Sequence, residues 1–416
     1  MLPEGWLATT IGQHAEVLTG FAFKSAEYTS HEQDIKLLRG DNVAPHKLRW
    51  RDVKRFPKDR SAEVTRYQLR IGDFVVAMDR TWLPSGVKIA EVTDIDLPCL
   101  LVQRVARLRA QPSLNQGLMK QFFSGHHFDQ HVRAVQTETA VPHISPADLR
   151  DYPIKLPPLP EQRRIAEILS TWDGAIETVE KLIANARAQK KAMMQSLLTG
   201  NKRLPGFPGE WATLTLDKAA QIIVSNVDKK SVATERAVRL CNYMDVYRTD
   251  RIDADMDFMA ATAVDAQIRK FGLRVGDVLI TKDSETPDDI AIPSFVGSTA
   301  PDLVCGYHLA IIRPRKGTDG QFLKFYFEHP HTRHFFASRA NGATRFGLTI
   351  DAIQTAPIAL PSFAEQQRIG EVICAAELEI ARLNPIAASL RQEKSALMQQ
   401  LLTGKRRVKI ELEAAA

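Results

Sequence analysis

Two stretches of the chain place apolar residues at alternating spacings of four and three. In the first, Ile165, Leu169, Trp172, Ile176, Val179, Ile183, Ala186, Lys190, Met193 and Leu197 follow that rhythm. In the second, Ile369, Ile373, Ala376, Ile380, Leu383, Ala387, Leu390, Lys394, Leu397 and Leu401 follow it at the same phase. An apolar repeat sustained over this length predicts a coiled-coil seam rather than one face of an isolated helix. A lysine interrupts each seam, at Lys190 and Lys394.

The ends of these helices are also marked. Ser362 with Glu365 forms a capping-box pattern, and Pro160 suits a first helical turn. Gly200 and Gly404 fit C-terminal caps, with Lys202, Arg203, Lys405 and Arg406 complementing the negative helix end. At ~1.5 Å per residue a helix from Glu161 to Thr199 is about 58 Å long. Pro385 stands where the first copy has Lys181, which predicts a kink or an interruption of the second helix. Each helix follows a compact portion and the chain must return, so the simplest arrangement pairs the two antiparallel within one molecule. At full overlap, positions summing to about 566 face each other, which lays Lys394 over the indole of Trp172 and Lys190 over Ala376.

The helices belong to a longer internal repeat at an offset of 204 residues. Leu156-Pro-Pro-Leu-Pro-Glu-Gln-Arg-Arg-Ile recurs as Leu360-Pro-Ser-Phe-Ala-Glu-Gln-Gln-Arg-Ile. Arg70-Ile-Gly-Asp-Phe-Val-Val-Ala matches Arg274-Val-Gly-Asp-Val-Leu-Ile-Thr, each a Gly-Asp turn leading into a strand. Arg104 to Arg109 aligns with His308 to Arg313 as a second strand, and Leu118–Phe123 aligns with Phe322–Phe327 as a helix. Pro3-Glu-Gly-Trp6 and Pro208-Gly-Glu-Trp211 open the two copies. The fold class is therefore α+β: two mixed α/β domains related by pseudo-two-fold symmetry, joined by two long helices that form an intramolecular antiparallel coiled coil. The expected boundaries are 1–155 and 205–359 for the globular domains, and 156–204 and 360–411 for the helical regions. The closing Leu412-Glu-Ala-Ala-Ala is set aside as a tail.

Composition adds less. Of 416 residues, 44% are hydrophobic and 25% charged, ordinary for a globular chain. The net charge of +6 is compatible with a polyanionic partner. From Lys36 to Arg70 there are eleven Lys/Arg against four Asp/Glu, whereas the region from Asp245 to Asp257 in the second copy is more acidic. If both copies hold the same polyanion, they do so with different residues. Cys99, Cys241, Cys305 and Cys374 show no CxxC spacing and read as reduced thiols of a cytoplasmic protein. The N-terminus has no signal-peptide pattern, and no apolar run approaches the ~20 residues needed to span a bilayer.

The paired Leu-Pro-x-x-x-Glu-Gln-x-x-Ile helices resemble the conserved regions of type I restriction–modification specificity subunits. The Gly20-Phe-Ala-Phe-Lys-Ser25 segment, the Gly-Asp strands and the His143-Ile-Ser-Pro-x-Asp-Leu stretch carry the same resemblance, which extends over nearly the whole chain. It implies a non-catalytic subunit whose two globular portions are target recognition domains, each binding half of a split double-stranded DNA sequence. It also implies that the helices act as a spacer and as a docking surface for two methyltransferase subunits, with a restriction/translocase subunit joining the complex. No cofactor is expected in this chain. S-adenosylmethionine, ATP and Mg are expected on the partner subunits.

Candidate contacts follow from charge and loop position. Lys24 and Ser25 sit in a Gly20-led loop, where a phosphate or base contact and a solvated turn are both open. Arg80, and Lys282 with Ser284 in the other copy, occupy equivalent strand-exit loops, where recognition tends to reside. Arg104 opens the next strand. Arg39, Arg49, Arg51 and Lys54 with Arg55 form the densest basic patch, interleaved with Trp50 and Phe56 as on a DNA-facing surface. Arg345, in Asn341-Gly-Ala-Thr-Arg-Phe-Gly347, could contact DNA or shape a turn. On the helices, Glu161, Gln162, Ile165, Leu169, Trp172, Glu365, Gln366, Ile369, Ile373 and Ile380 are the expected spacer or partner-binding positions.

Other functions find less support. There is no GxxxxGK[ST] loop, no GxSxG and no Rossmann fingerprint, and Asn384-Pro385 lacks the aromatic continuation of a methyltransferase motif. His126, His127 and His131, with His329, His331 and His334 in the second copy, invite a metal-dependent hydrolase reading, but they lack the HExxH glutamate and supporting cysteines; no metal site is expected. A coiled-coil adaptor that binds protein ligands is the principal alternative.

Overall fold

A computed structural model describes residues 2–409, so the tail from Leu412 and the last two positions of the expected second helical region lie outside the described residues. The chain divides into two compact units. One is built from the chain up to Glu180 and from Pro385 onward, and the other from Lys181–Asn384.

In the first unit, strands β1 (Ala15–Thr19), β2 (Ile35–Leu38), β3 (Phe74–Ala77), β4 (Ile89–Glu91), β5 (Cys99–Leu101) and β6 (Val105–Ala110) carry the framework. An antiparallel sheet has the order β4-β3-β6-β1. A smaller sheet pairs β5 parallel to β2, with Arg55–Phe56 on the other side of β2. β3 is buried on both faces, which explains why Phe-Val-Val-Ala shows no polar alternation. Phe74 and Val76 face a core closed by the helices Gln116–Ser124 and His126–Val135, whereas Val75 and Ala77 face the smaller sheet.

The second unit repeats the plan with β7 (Ala220–Val224), β8 (Arg236–Cys241), β9 (Val278–Thr281), β10 (Pro293–Val296), β11 (Leu303–Cys305) and β12 (Leu309–Pro314). Its large sheet has the order β7-β12-β9-β10, extended by Arg251–Ile252, and β11 again runs parallel to β8 in the smaller one. The Gly-Asp motif has the same role in both units. Gly72 and Gly276 take left-handed backbone (φ 85° and 90°), and Asp73 and Asp277 accept paired hydrogen bonds from Arg109 and Arg313 on the neighbouring strand.

The long helices span Leu159–Leu197 and Phe363–Leu401. Gly200 and Gly404 end them at φ 72° and 73°. The N–H groups of Lys202 and Arg406 reach back six residues to the carbonyls of Ser196 and Gln400, each satisfying a carbonyl left open at the helix end. Each unit contains the first part of one helix and the last part of the other. In the first unit Ile165 and Leu169 share a core with Met398 and Leu401; in the second, Ile369 and Ile373 share one with Met194 and Leu197.

The expected antiparallel register holds to one residue, but not the expected contact. Lys394 bonds the carboxylate of Asp173 at 2.6 Å rather than resting on Trp172, because a carboxylate satisfies a desolvated ammonium better than a ring face. Lys190 bonds Glu377 and Glu328. Nor does Pro385 interrupt the second helix. Pro385 and Ala381, whose carbonyl loses its usual donor, are both exposed, so water can take the missing N–H's place. Among the described residues no helix is long and apolar enough to cross a membrane.

Candidate nucleic-acid interface

The Glu-Gln signature turns inward. Glu161, Gln162, Glu365 and Gln366 are all at most 1% exposed. Gln162 accepts the N–H of Asn115 at 2.8 Å and donates to the carbonyls of Ser113 and Pro157. Gln366 makes the equivalent bonds to Asp319, Gly317 and Pro361. Glu161 is bonded by Arg407 and by the Trp6 indole; Glu365 is bonded by Arg203 at 2.6 and 2.7 Å. Ser362 does cap the helix through its hydroxyl, but the Glu365 carboxylate goes to Arg203 instead of closing a capping box. These four residues therefore fasten each long helix to its unit, and their side chains are not offered to a partner. Ile165, Leu169, Ile369 and Ile373 are likewise buried, and Trp172 and Ile380 are half-buried.

The polar surfaces that remain available are built at the strand exits. In the first unit the segment after β3 meets the β5–β6 turn, with the Met78 N–H bonded to the Arg104 carbonyl at 2.9 Å. The loop Thr137–His143 joins them through a bridge from Asp79 to His143 and a bond from the Arg80 N–H to the Pro142 carbonyl. The result is a depression of about 500 Å3 lined by Arg39, Arg80, Lys88, Gln103, Arg104 and Val141, among others. In the second unit Lys282 bonds the His308 carbonyl at 2.8 Å, and Asp283 pairs with Gly347. Here the depression is about 450 Å3 and is lined by Lys229, Tyr243, Tyr247, Ser284, His308 and Arg345, with Asp283, Glu285 and Asp289. Burial pushes the Tyr243 hydroxyl up to about 12, so it remains a hydrogen-bond donor at neutral pH.

Two features are common to both depressions. Asp79 holds Arg104 at 3.2 Å, and Asp283 holds His308 at 2.6 Å. Arg104 and His308 also share left-handed backbone, at φ 68° and 73°, which is uncommon for residues other than glycine. The framework is thus constant while the side chains on it differ.

Residues 3–187 match the family described as Type I restriction modification DNA specificity domain. The chain is 34% identical over 182 residues to the EcoAI specificity subunit of Escherichia coli, covering 44% of this chain and 30% of that protein. It is 30% identical over 204 residues to the MjaVIII specificity subunit of Methanocaldococcus jannaschii, covering 49% and 48%. Over these stretches the chain is similar to type I restriction–modification specificity subunits. These alignments span about half or less of the length of the curated relatives. The crystal structure of an S subunit from M. genitalium has a similar fold along almost the whole chain, with a TM-score of 0.58, 14% identity and coverage of 95% and 96%.

In this chain, Arg39, Arg80 and Arg104 come together in one depression, and Ser284 and Arg345 in the other. Lys282 lies beside the second, with its ammonium on Asp283. Lys24 and Ser25 are exposed on a short 3-10 turn and line neither. Arg49, Arg51 and Lys54 are exposed outside the depression. The aromatic residues among them are already engaged. Phe56 is buried, and Trp50 donates to Asp96 beneath the ammonium of Lys36. The interleaved aromatics therefore serve packing, which alternation in sequence alone does not distinguish from a stacking surface.

Lys88, Gln103, Tyr243, Tyr247 and His308 were not candidates on sequence. For Gln103 the available signal was position, since it precedes a strand matched between copies. The histidines take separate roles: His131 bonds the Asp148 carbonyl and His329 caps its helix. Among the described residues, the one grouping of three possible metal ligands is Asp250, Glu328 and Glu377, beside the ammonium groups of Lys324 and Lys190.

Proposed function

We propose that the chain is the DNA-reading subunit of a type I restriction–modification complex, with no catalytic step of its own. Residues 1–155 and 205–359 are the two target recognition domains, each binding half of a bipartite, asymmetric duplex target in the cytoplasm. Residues 156–204 and 360–411 set the spacing between the halves and dock two methyltransferase subunits. A restriction/translocase subunit completes the assembly. S-adenosylmethionine, ATP and Mg act on those partners.

The observation that carries this reading is the pair of depressions on one framework with exchanged side chains. Two similar readers with different surfaces suit a target whose halves differ. The first depression sets four cations against two carboxylates, as a polyanion requires. The second sets two cations against three carboxylates and offers tyrosines, so hydrogen bonding and base contact weigh more there.

The test is a methylation map of a host carrying the chain with its methyltransferase, compared with deletion of this chain alone. Loss of methyladenine at one split motif is the expected outcome, and exchanging residues 1–155 for another reader should alter one half of that motif only. An unchanged map with an active methyltransferase would overturn the reading and favour a protein-binding adaptor.

A further inference from the structure

Two of the four arginines that line the depressions are already paired. Arg39 is bonded to Asp41 and Arg104 to Asp79. One guanidinium on each depression has no carboxylate partner among the described residues: Arg80 in the first and Arg345 in the second, both exposed. They are not at matching positions. At the offset of 204, Arg80 corresponds to Ser284, and Arg345 corresponds to Val141. The free guanidinium has moved from the strand exit to the facing loop, and each unit has kept one.

Both placements carry signs of construction. Arg80 is itself in left-handed backbone, at φ 46°, a conformation glycine would adopt without strain. The loop carrying Arg345 closes tightly through Gly342, where a Cβ would collide with the Arg345 carbonyl. That closure, with paired bonds between Asn341 and Gly347, presents Arg345 beside Ser284. An unpaired guanidinium retains its planar fork of donors, which matches the O6 and N7 acceptors of guanine in the major groove.

The geometry points to Arg80 and Arg345 as the equivalent base-reading residues of the two units, each reading a guanine in its own half-target, with Asp79 and Asp283 as positioning residues. Asp79 and Asp283 hold the left-handed turns at Arg104 and His308 and fix the floor over which each guanidinium projects. This assignment rests on the proposed DNA-reading function and specifies how that function divides between the units.

Selection of the full chain against a randomised duplex pool tests it. The parent protein should enrich a two-part motif with a guanine in each half. Arg80→Lys keeps the charge and loses the fork, so it should lower preference at one guanine by ~5- to 150-fold and leave the other half intact. Arg345→Lys should do the same in the other half. Asp79→Asn should weaken discrimination at the position Arg80 reads, without changing the salt dependence of binding. If Arg80→Ser and Arg345→Ser instead weaken all sequences equally and lower the log–log salt slope by ~0.9 each, they contact phosphates and the assignment is overturned. Retained preference in the lysine variants would overturn it as well. A parent protein that enriches no sequence removes the DNA-reading function itself, which is a separate outcome.

Discussion

Lys190 and Lys394 occupy equivalent places in the helical seam, yet replacing each with methionine should have unequal effects. The Lys190 ammonium lies 2.9 Å from Glu328 and also bonds Glu377, and both carboxylates are shared with the fully buried Lys324. Coulomb attraction at that distance is about 6 kcal/mol for an effective dielectric of ~20, most of it offset by desolvation. Removing Lys190 leaves two carboxylates, each only 16–17% exposed, with one neighbouring ammonium. Breaking such a group costs ~3–5 kcal/mol. Asp173 differs, being 35% exposed and also bonded by the Gln121 amide. Without Lys394 it can be hydrated, at a cost of ~1 kcal/mol. A methionine on the seam gains about as much by burial. Lys190→Met should therefore destabilise by about 3 kcal/mol more than Lys394→Met. Urea unfolding of the full chain, followed by far-UV circular dichroism, measures the difference from midpoints and slopes. Adding Glu377→Gln to Lys190→Met should recover part of the loss by restoring charge balance. Equal costs for the two lysines, or a further loss in the double variant, would refute the reasoning.

Two other outcomes follow from the same kind of accounting. Asp277→Asn removes one of the acceptors that Arg313 and the Arg274 N–H share, at a site 1% exposed, and should cost ~3 kcal/mol. Calorimetry should show this as a fall of about 6–12 °C in the melting of that unit, with a smaller fall for Asp73→Asn because Arg109 is more exposed than Arg313. Burial pushes the Lys190 pKa down, but Glu328 and Glu377 more than compensate, so the ammonium ends above its ordinary value of 10.5. Its contribution is complete below that value and is lost as pH rises through the raised one. Alkaline titration of stability should therefore fall less steeply in Lys190→Met than in the parent.

The sequence was most legible where function depends on periodicity. All twenty seam positions are buried or half-buried, and the Gly-Asp turns lead into the central strands. It was least legible where the partner is distant. Nothing in Phe322-Leu-Lys-Phe-Tyr-Phe announces that Lys324 is buried, because Glu377, which bonds it from outside its own helix, is 53 residues away. The Glu-Gln pair was recognisable as a signature, but its bonds go to backbone groups, and side-chain chemistry says little about those. The depressions were legible only in part. Each gathers short segments that tertiary contact alone brings together, so Arg80 could be singled out by its loop while Lys88 could not.

The division of the helices also sets an order of manufacture. The second unit is one uninterrupted stretch, Lys181–Asn384, and every residue of its core has been synthesised once that stretch leaves the ribosome. The first unit begins the chain yet draws Met398, Leu401 and Arg407 into its closure. The half that is translated first is therefore completed last. Until then the apolar faces of Ile165 and Leu169 lack part of their cover, and chaperones or early-folding neighbours have a defined interval in which to shield them.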